Sequence, residues 1–284
     1  MKLTCITATL NCIKAGNREG IVRCVESVAK LRTEHEHLVY DGASKDGTVG
    51  LLQELEKTTP GLRVVSEPDT GIYNALNKGV RDAKGDWCYV LGADDYIEKP
   101  SVLDQILAKH DSDVIATPVL TETGVQGFSL ENIFHGTPYC HQGVLHKTRL
   151  VRQYGGYNET YRIAADYDLM LKFHEDARNI LYLDSQFAFF GKCGLSSTLM
   201  DEMKHEMARI CATHFGVSER VAWRMAWHYW VPLSFASAYW SHPDHAFRVA
   251  AKHAPWKFMK HMLIFVFYPA VVARRYINRK YRSF

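Results

Sequence analysis

The sequence predicts an α/β fold, a mostly parallel sheet with helices on both faces. Three observations carry this expectation. Strand-like apolar runs alternate with segments of helical period through the first hundred residues, and each strand run opens into a polar turn. With 284 residues, 47% apolar and 23% charged, the chain can bury one large core and still carry an appendage.

The elements follow in order. "LTCITATL" reads as a strand, and "GIVRCVESVAKL" sets Ile21, Cys24, Val25, Val28 and Leu31 on one helical stripe. "EHLVYDG" is a second strand, and the turn residues "GASKDG" lead into a helix carrying Leu51, Leu52 and Leu55. "LRVVSE" is a third strand. "GIYNALNKGVRDAKG" places Ile72, Ala75, Leu76, Gly79, Val80 and Ala83 at helical spacing and stops at Gly85. "WCYVL" is a fourth strand, and Ser101 is placed to cap the helix "SVLDQILAKH".

In such a sheet, ligands bind beyond the carboxyl ends of the strands. Thr9 and Asn11 follow the first strand, Asp41 the second, Glu67 and Asp69 the third, and Asp94 and Asp95 the fourth, so all share one rim. Carboxylates and amides there suit hard cations, ribose hydroxyls and nucleobase N–H groups better than anions. No G-x-G-x-x-G follows the first strand and no G-x-x-x-x-G-K-[ST] occurs, which excludes typical dehydrogenases and P-loop enzymes. The stretch "ATLNCIKAGNREG" also lacks the Gly-rich, Arg-containing opening of a sugar-1-phosphate nucleotidyltransferase.

The seven cysteines are scattered without C-x-x-C spacing, as in reduced cytosolic proteins, and no zinc site is expected. Met1 leads directly into a strand-like run, which points to a chain that is not exported. Charge is segregated. After Asp244 come nine Lys/Arg and no acidic residue, so the tail is +9 and the preceding 244 residues are at −6 within a net +3. "MLIFVFYPAVVA" (262–273) is too short to span a bilayer and is broken by Pro269. With Trp256, Tyr268 and Tyr276 around it, residues 248–284 read as an anchor on an anionic membrane surface, and no nucleic-acid partner is expected. The bland alternative is a C-terminal helix packed on the domain. The aromatic stretch 223–240 reads as a packed helix pair interrupted by Pro232.

Five blocks in order, "ITATLN", "HLVYDGASKDGT", "SEPDTGIYNALNKG", "GDWCYVLGADDY" and "YCHQGVLHKTRLVRQYGGYNETYRIAADYDLMLK", resemble a family 2 glycosyltransferase with the GT-A fold, of the bacterial exopolysaccharide or colanic-acid type. The resemblance covers Met1 to Gly194. It implies a GT-A domain over 1–194, with a nucleotide half over about 1–100 and an acceptor half over about 101–194, and a helical, membrane-associating extension over 195–284. By that resemblance Asp41 contacts the nucleobase, Thr9 and Asn11 line the same pocket, and Asp69, Lys78 and Asp94 complete the donor site. The D-x-D element falls on "GADD" with Gly92 where the first aspartate is expected, which leaves Asp94, supported by Asp95, as ligand for Mn²⁺ or Mg²⁺. The catalytic base falls on Asp166, and His141 and Gln142 on the acceptor and diphosphate region.

The chemistry asks for such groups independently. A divalent cation offsets charge on a leaving diphosphate, and a carboxylate aligned opposite it takes the proton of an unionised acceptor hydroxyl, inverting the anomeric centre. Other roles stay open. Asp41 before Gly42 can close an Asx turn, Asp94 and Asp95 can be a solvated loop turn, and Asp168 can be the base or cap the following helix. His141 and His146, five apart, fit no common metal-ligand spacing. The implied function is transfer of a sugar from a UDP-, GDP- or dTDP-sugar to a polyprenyl-linked or saccharide acceptor, at the cytoplasmic face of the inner membrane. The alternative is a non-catalytic scaffold that binds sugar nucleotides, with Gly92 marking a lost ligand.

Overall fold

A computed structural model describes residues 2–128, 137–176, 179–191, 198–216, 218–220 and 222–223. The chain divides into two compact units, one of Met1–Phe128, Tyr139–Leu169 and Arg178–Met200, the other of Ser129–Pro138, Met170–Ala177 and Asp201–Phe284.

The first unit is built on a seven-stranded sheet. Its strands are β1 (Leu3–Thr9), β2 (His35–Asp41), β3 (Leu62–Ser66), β4 (Trp87–Val90), β6 (Val114–Ala116), β9 (Val144–Lys147) and β10 (Ile180–Tyr182), in the order β10-β6-β9-β4-β1-β2-β3. β1 pairs in parallel with β2 and β4, and β2 with β3, while β9 runs antiparallel between β4 and β6. The order reverses at β1, whose neighbours are the next strand on one side and β4 on the other. A crevice at the carboxyl ends follows from that switch point. Helices α1 (Arg18–Ala29), α2 (Thr48–Thr58), α3 (Ile72–Asp82), α4 (Pro100–Lys109) and α5 (Thr148–Gln153) connect the strands.

The pattern that predicts these elements also explains their packing. β1 is buried on both faces, as a central parallel strand should be. The α1 stripe delivers Ile21, Cys24, Val25 and Val28 to a core shared with Leu3, Cys5, Trp87 and Tyr89. Each such side chain contributes roughly 1.5–3 kcal/mol on full burial. α3 lies close on β1 because of Gly79, where a methyl would sit 2.5 Å from Ile6 Cγ2. Thr7 and His37, two of the polar side chains buried inside the sheet, are paired. Thr7 Oγ1 donates to the Leu91 carbonyl at 2.8 Å, so at 2.9 Å it must accept from His37, which fixes the Nε2–H tautomer. Burial drives the His37 pKa down to about 3 and holds the ring neutral.

A second, four-stranded sheet joins β5 (Tyr96–Ile97), β11 (Ala188–Phe189), β7 (Val119–Thr121) and β8 (Gly124–Gln126) in that order. These strands are two or three residues long, below the length at which alternation is readable. Helix α6 (Ala165–Glu175) carries Asp166 and Asp168 in its first turn. In the second unit, α7 (Met200–Phe215) buries Met207, Ile210, Cys211 and Phe215, and His214 Nδ1 pairs with Glu175.

Three local expectations need correcting. Ser101 does not cap α4, because the helix begins at Pro100 and no side chain caps it; proline has no N–H to satisfy. Asp168 does not precede its helix, since α6 starts three residues earlier and encloses it in the first turn. Ile72, expected on the buried stripe of α3, is 40% exposed at the first position of that helix, whereas Tyr73 is 6% exposed. Among the described residues no helix is long and apolar enough to cross a membrane. The stretch 224–240 and the basic tail 248–284 lie outside the described residues.

Candidate active site

The first cluster on the rim is formed by the loops after β1 and β2. Asp41 is 1% exposed and accepts from three donors: the Ser44 N–H at 2.9 Å, the Ser66 hydroxyl at 2.8 Å, and the Ser44 hydroxyl. Asp41 therefore closes the "DGAS" turn through its side chain, bonding three residues on rather than the two of an Asx turn. A carboxylate has about four lone-pair positions, so one remains for an incoming N–H. Ser44 Oγ also accepts the Asn11 N–H at 2.6 Å, and the Asn11 side-chain oxygen accepts the Lys45 N–H at 3.0 Å. This mutual bonding holds Asn11 at φ 50 and Ala43 at φ 60, both in the left-handed region. Thr9 adjoins Cys12, and its carbonyl accepts the Gly42 N–H at 2.9 Å. Asp69 reaches the same place, with Oδ2 only 2.7 Å from where a methyl on Gly42 would stand.

Lys78 lies under this loop. Its ammonium pairs with Glu67 at 2.7 Å and donates to the Pro68 carbonyl at 2.9 Å, so its charge braces the β3–α3 turn. A donor role for Lys78 has to pass through that brace.

The second cluster is the "GADD" loop after β4. Asp95 is 1% exposed and folds back, accepting the Gly92 N–H at 3.0 Å and the Gly191 N–H at 2.7 Å, and a hydrogen bond from the Gln142 side chain. Burial, then repulsion from Asp94, pushes its pKa up to about 7 against those donors. Asp95 thus anchors the loop, and the half-buried Asp94 is the carboxylate presented on the rim. Gly191 packs directly on Asp94, for a methyl there would lie 2.8 Å from its carbonyl oxygen and 2.9 Å from Oδ2.

The third cluster surrounds Asp166 at the start of α6. Asp166 is half-buried and accepts the Tyr167 N–H at 2.9 Å, and the Tyr73 hydroxyl lies 3.3 Å from its Oδ1. His141 and Gln142 occupy a single 3₁₀ turn, His141–Gly143, between the second and third clusters. His141 Nε2 meets the Tyr157 hydroxyl at 3.0 Å, and burial lowers its pKa while Asp166 raises it. Gln142 accepts from the Cys140 thiol at 2.9 Å through Oε1, and its carbonyl accepts the Tyr89 hydroxyl at 2.9 Å. Gln142 is consequently built into the support of the Asp95 loop.

Two buried thiols tie the clusters together. Burial raises the Cys12 pKa, and the fields of Asp46, Asp41 and Asp94 add to it, opposed by Thr9. Burial pushes Cys140 up to about 12, with Asp95 and Asp166 adding and Gln142 opposing. Asp41 and Asp94 therefore share one neighbourhood, and Asp95 and Asp166 another. Among the described residues no three His, Cys, Asp or Glu side chains converge as a metal cluster. The donor set still fits a hard cation, since Mg²⁺ needs only one or two protein carboxylates when phosphates and water complete its shell.

Sequence reasoning missed Tyr73, Ser44 and Gly191. Ser44 was within reach as the fourth residue of the "DGAS" turn. Tyr73 left one signal, an aromatic off the apolar stripe of its helix. Gly191 left none, because its partners are about a hundred residues away.

Comparison with known proteins agrees with this architecture. The model of the family "Glycosyl transferase family 2" matches residues 4–179. A Mycobacterium bovis PGL/p-HBAD biosynthesis glycosyltransferase is 29% identical over 192 residues, 63% of this chain and 75% of that one. Escherichia coli chondroitin synthase is 30% identical over 169 residues, 55% of this chain and 24% of its own length. The structure of S. aureus TarS 1-349 in complex with UDP-GlcNAc superposes with TM-score 0.62 at 19% identity, covering 98% of this chain and 79% of that one. The mannosyltransferase of Pyrobaculum calidifontis in complex with GDP-Man and Mn²⁺ gives TM-score 0.55 at 18% identity, covering 99% and 82%. The fold is GT-A-like, and the family match favours a transferase over the non-catalytic scaffold. A parallel sheet reversing at β1, a rim of carboxylates beyond it and a family match across most of that sheet lead to one assignment: the chain is a glycosyltransferase and belongs to glycosyl transferase family 2.

Proposed function

We propose that the chain is an inverting, cation-assisted transferase that moves a sugar from a nucleoside diphosphate donor to a hydroxyl of a lipid-linked or saccharide acceptor. The observation that carries this reading is two half-buried carboxylates, Asp94 in the loop after β4 and Asp166 in the first turn of α6, together with a preformed turn at Asp41. The Asp41 cluster holds the base of the donor, with Asn11 and Asp69 at its sides. Asp94 is the ligand for Mn²⁺ or Mg²⁺, which when bound supplies Lewis-acid compensation for charge on the departing diphosphate. Asp166 takes the proton of the attacking hydroxyl as the new bond forms, worth about 10²- to 10⁴-fold in rate. Because a single carboxylate serves as base, one displacement inverts the anomeric centre. The neutral His141 beside it adds no competing positive charge.

UDP-GlcNAc and GDP-mannose, bound by the structural neighbours, are the first donors to test. A role in bacterial surface polysaccharide synthesis rests on the resemblance of the five sequence blocks, and a peripheral position on the cytoplasmic face of the membrane rests on the basic, aromatic-flanked tail 248–284. The decisive experiment is a thermal-shift series with UDP, GDP and dTDP, with and without Mn²⁺. One nucleotide should stabilise wild type by mass action, and more so with the cation. Asp94→Asn should lose only the Mn²⁺ increment; equal stabilisation of wild type with and without cation would sink the metal assignment.

A further inference from the structure

The polar side of α3 holds the segment that delivers Asp166. Asn77 brackets residue 157, accepting the Tyr157 N–H at 2.8 Å and donating to its carbonyl at 2.9 Å, and it donates to Glu159 at 2.8 Å. Asn74 reaches the other Glu159 oxygen at 2.9 Å. One turn earlier on the same face, Tyr73 stacks on Tyr157 with ring centroids 5.5 Å apart and planes at 25°. Its hydroxyl is thereby fixed between two oxygens, the Ile163 carbonyl at 2.6 Å and Asp166 Oδ1 at 3.3 Å.

A phenol has one proton to give. The shorter contact claims it, so the hydroxyl donates to Ile163 and turns a lone pair toward Asp166. We propose that Tyr73 is the positioning residue for Asp166, its oxygen the acceptor prepared for the proton that Asp166 gains during transfer. The inference rests on Asp166 being the base.

The step balances. The acceptor O–H breaks and an Asp166 Oδ–H forms, while the acceptor oxygen bonds to the anomeric carbon. The bond to the diphosphate breaks, and its electron pair leaves with the diphosphate. The new carboxylic acid donates to Tyr73 Oη, whose own proton stays on that oxygen, directed at the Ile163 carbonyl. The titratable groups around Asp166 are Tyr73 from α3, Cys140 and His141 from the segment ahead of β9, and Tyr157. Of these titratable groups, Tyr73 is the one within hydrogen-bond reach of its carboxylate, which also accepts the Tyr167 N–H.

The test uses the full chain. Tyr73→Phe keeps the stacked ring and removes only the oxygen. Hydrolysis of UDP-GlcNAc or GDP-mannose, with water as acceptor, should drop about tenfold in kcat at unchanged KM, the worth of one hydrogen bond made only once the base is protonated. An unchanged kcat, or a loss in kcat matched by a rise in KM, overturns the inference, because a purely structural tyrosine does not separate the two. Full hydrolysis by Asp166→Asn overturns the base assignment instead, so the two failures are told apart.

Discussion

The two sides of the rim are held by opposite means. On the donor side, Asp41, Ser44, Asn11 and Thr48 bond across 3 to 35 positions, between the end of β2, the loops that follow β1 and β2, and the first residue of α2. On the side of the chemistry, Asp95 is held by Gly191 across 96 positions and Asp166 lies beside Tyr73 across 93. Short loops close at small entropic cost, so the donor turn keeps its shape through local fluctuations. Long-range supports exist only while the segments after β9 and after β11 stay docked, and such segments open at lower free energy than the sheet centre. Nucleotide binding should therefore outlast catalysis under mild denaturation.

Three substitutions probe that contrast, from the largest effect to the smallest. Gly191→Ala drives a methyl against both the carbonyl and carboxylate of Asp94. Donor turnover should fall about 10²-fold, the usual consequence of displacing a reacting group by an ångström, while stabilisation by nucleotide without cation is unchanged. An equal loss of both would erase the distinction between the two sides. Ser44→Ala strikes the local side, leaving the Asn11 N–H and an Asp41 oxygen without their partner. Urea unfolding should show a loss of about 1–3 kcal/mol, with weaker nucleotide binding. Ala43→Gly sharpens the same turn. Relief of roughly 1–2 kcal/mol of left-handed strain at φ 60, less about 0.4–1 kcal/mol of added unfolded-state freedom, leaves a small net gain visible as a rise in Tm.

The same division decides what could be read from the chain alone. The strands β1, β2 and β4 and their helices were legible because strands buried on both faces read as apolar runs, and the helices between them carry a clear period. The turn at Asp41 was legible because its partners lie three residues on. The roles of Asp95 and Lys78 were harder: both look like free charges, yet one is folded into backbone N–H groups and the other onto Glu67. Tyr73 and Gly191 act through residues more than ninety positions away, and no local pattern encodes such a pairing. The second sheet escaped for a simpler reason, since strands of two residues carry no periodicity.

Gly92 carries a consequence for evolution and engineering. Asp95 accepts its N–H, and a methyl added at Gly92 would stand 2.4 Å from Asp95 Oδ2. A side chain at 92 takes space that the buried, folded-back Asp95 carboxyl now fills, so that carboxyl has to turn to admit it. Restoring the missing carboxylate by a single change, in evolution or by design, therefore disturbs the anchor in the same step that adds a ligand. Residues 92, 95 and 191 have to be changed with one another in view, since the Gly191 N–H is the other backbone donor to Asp95.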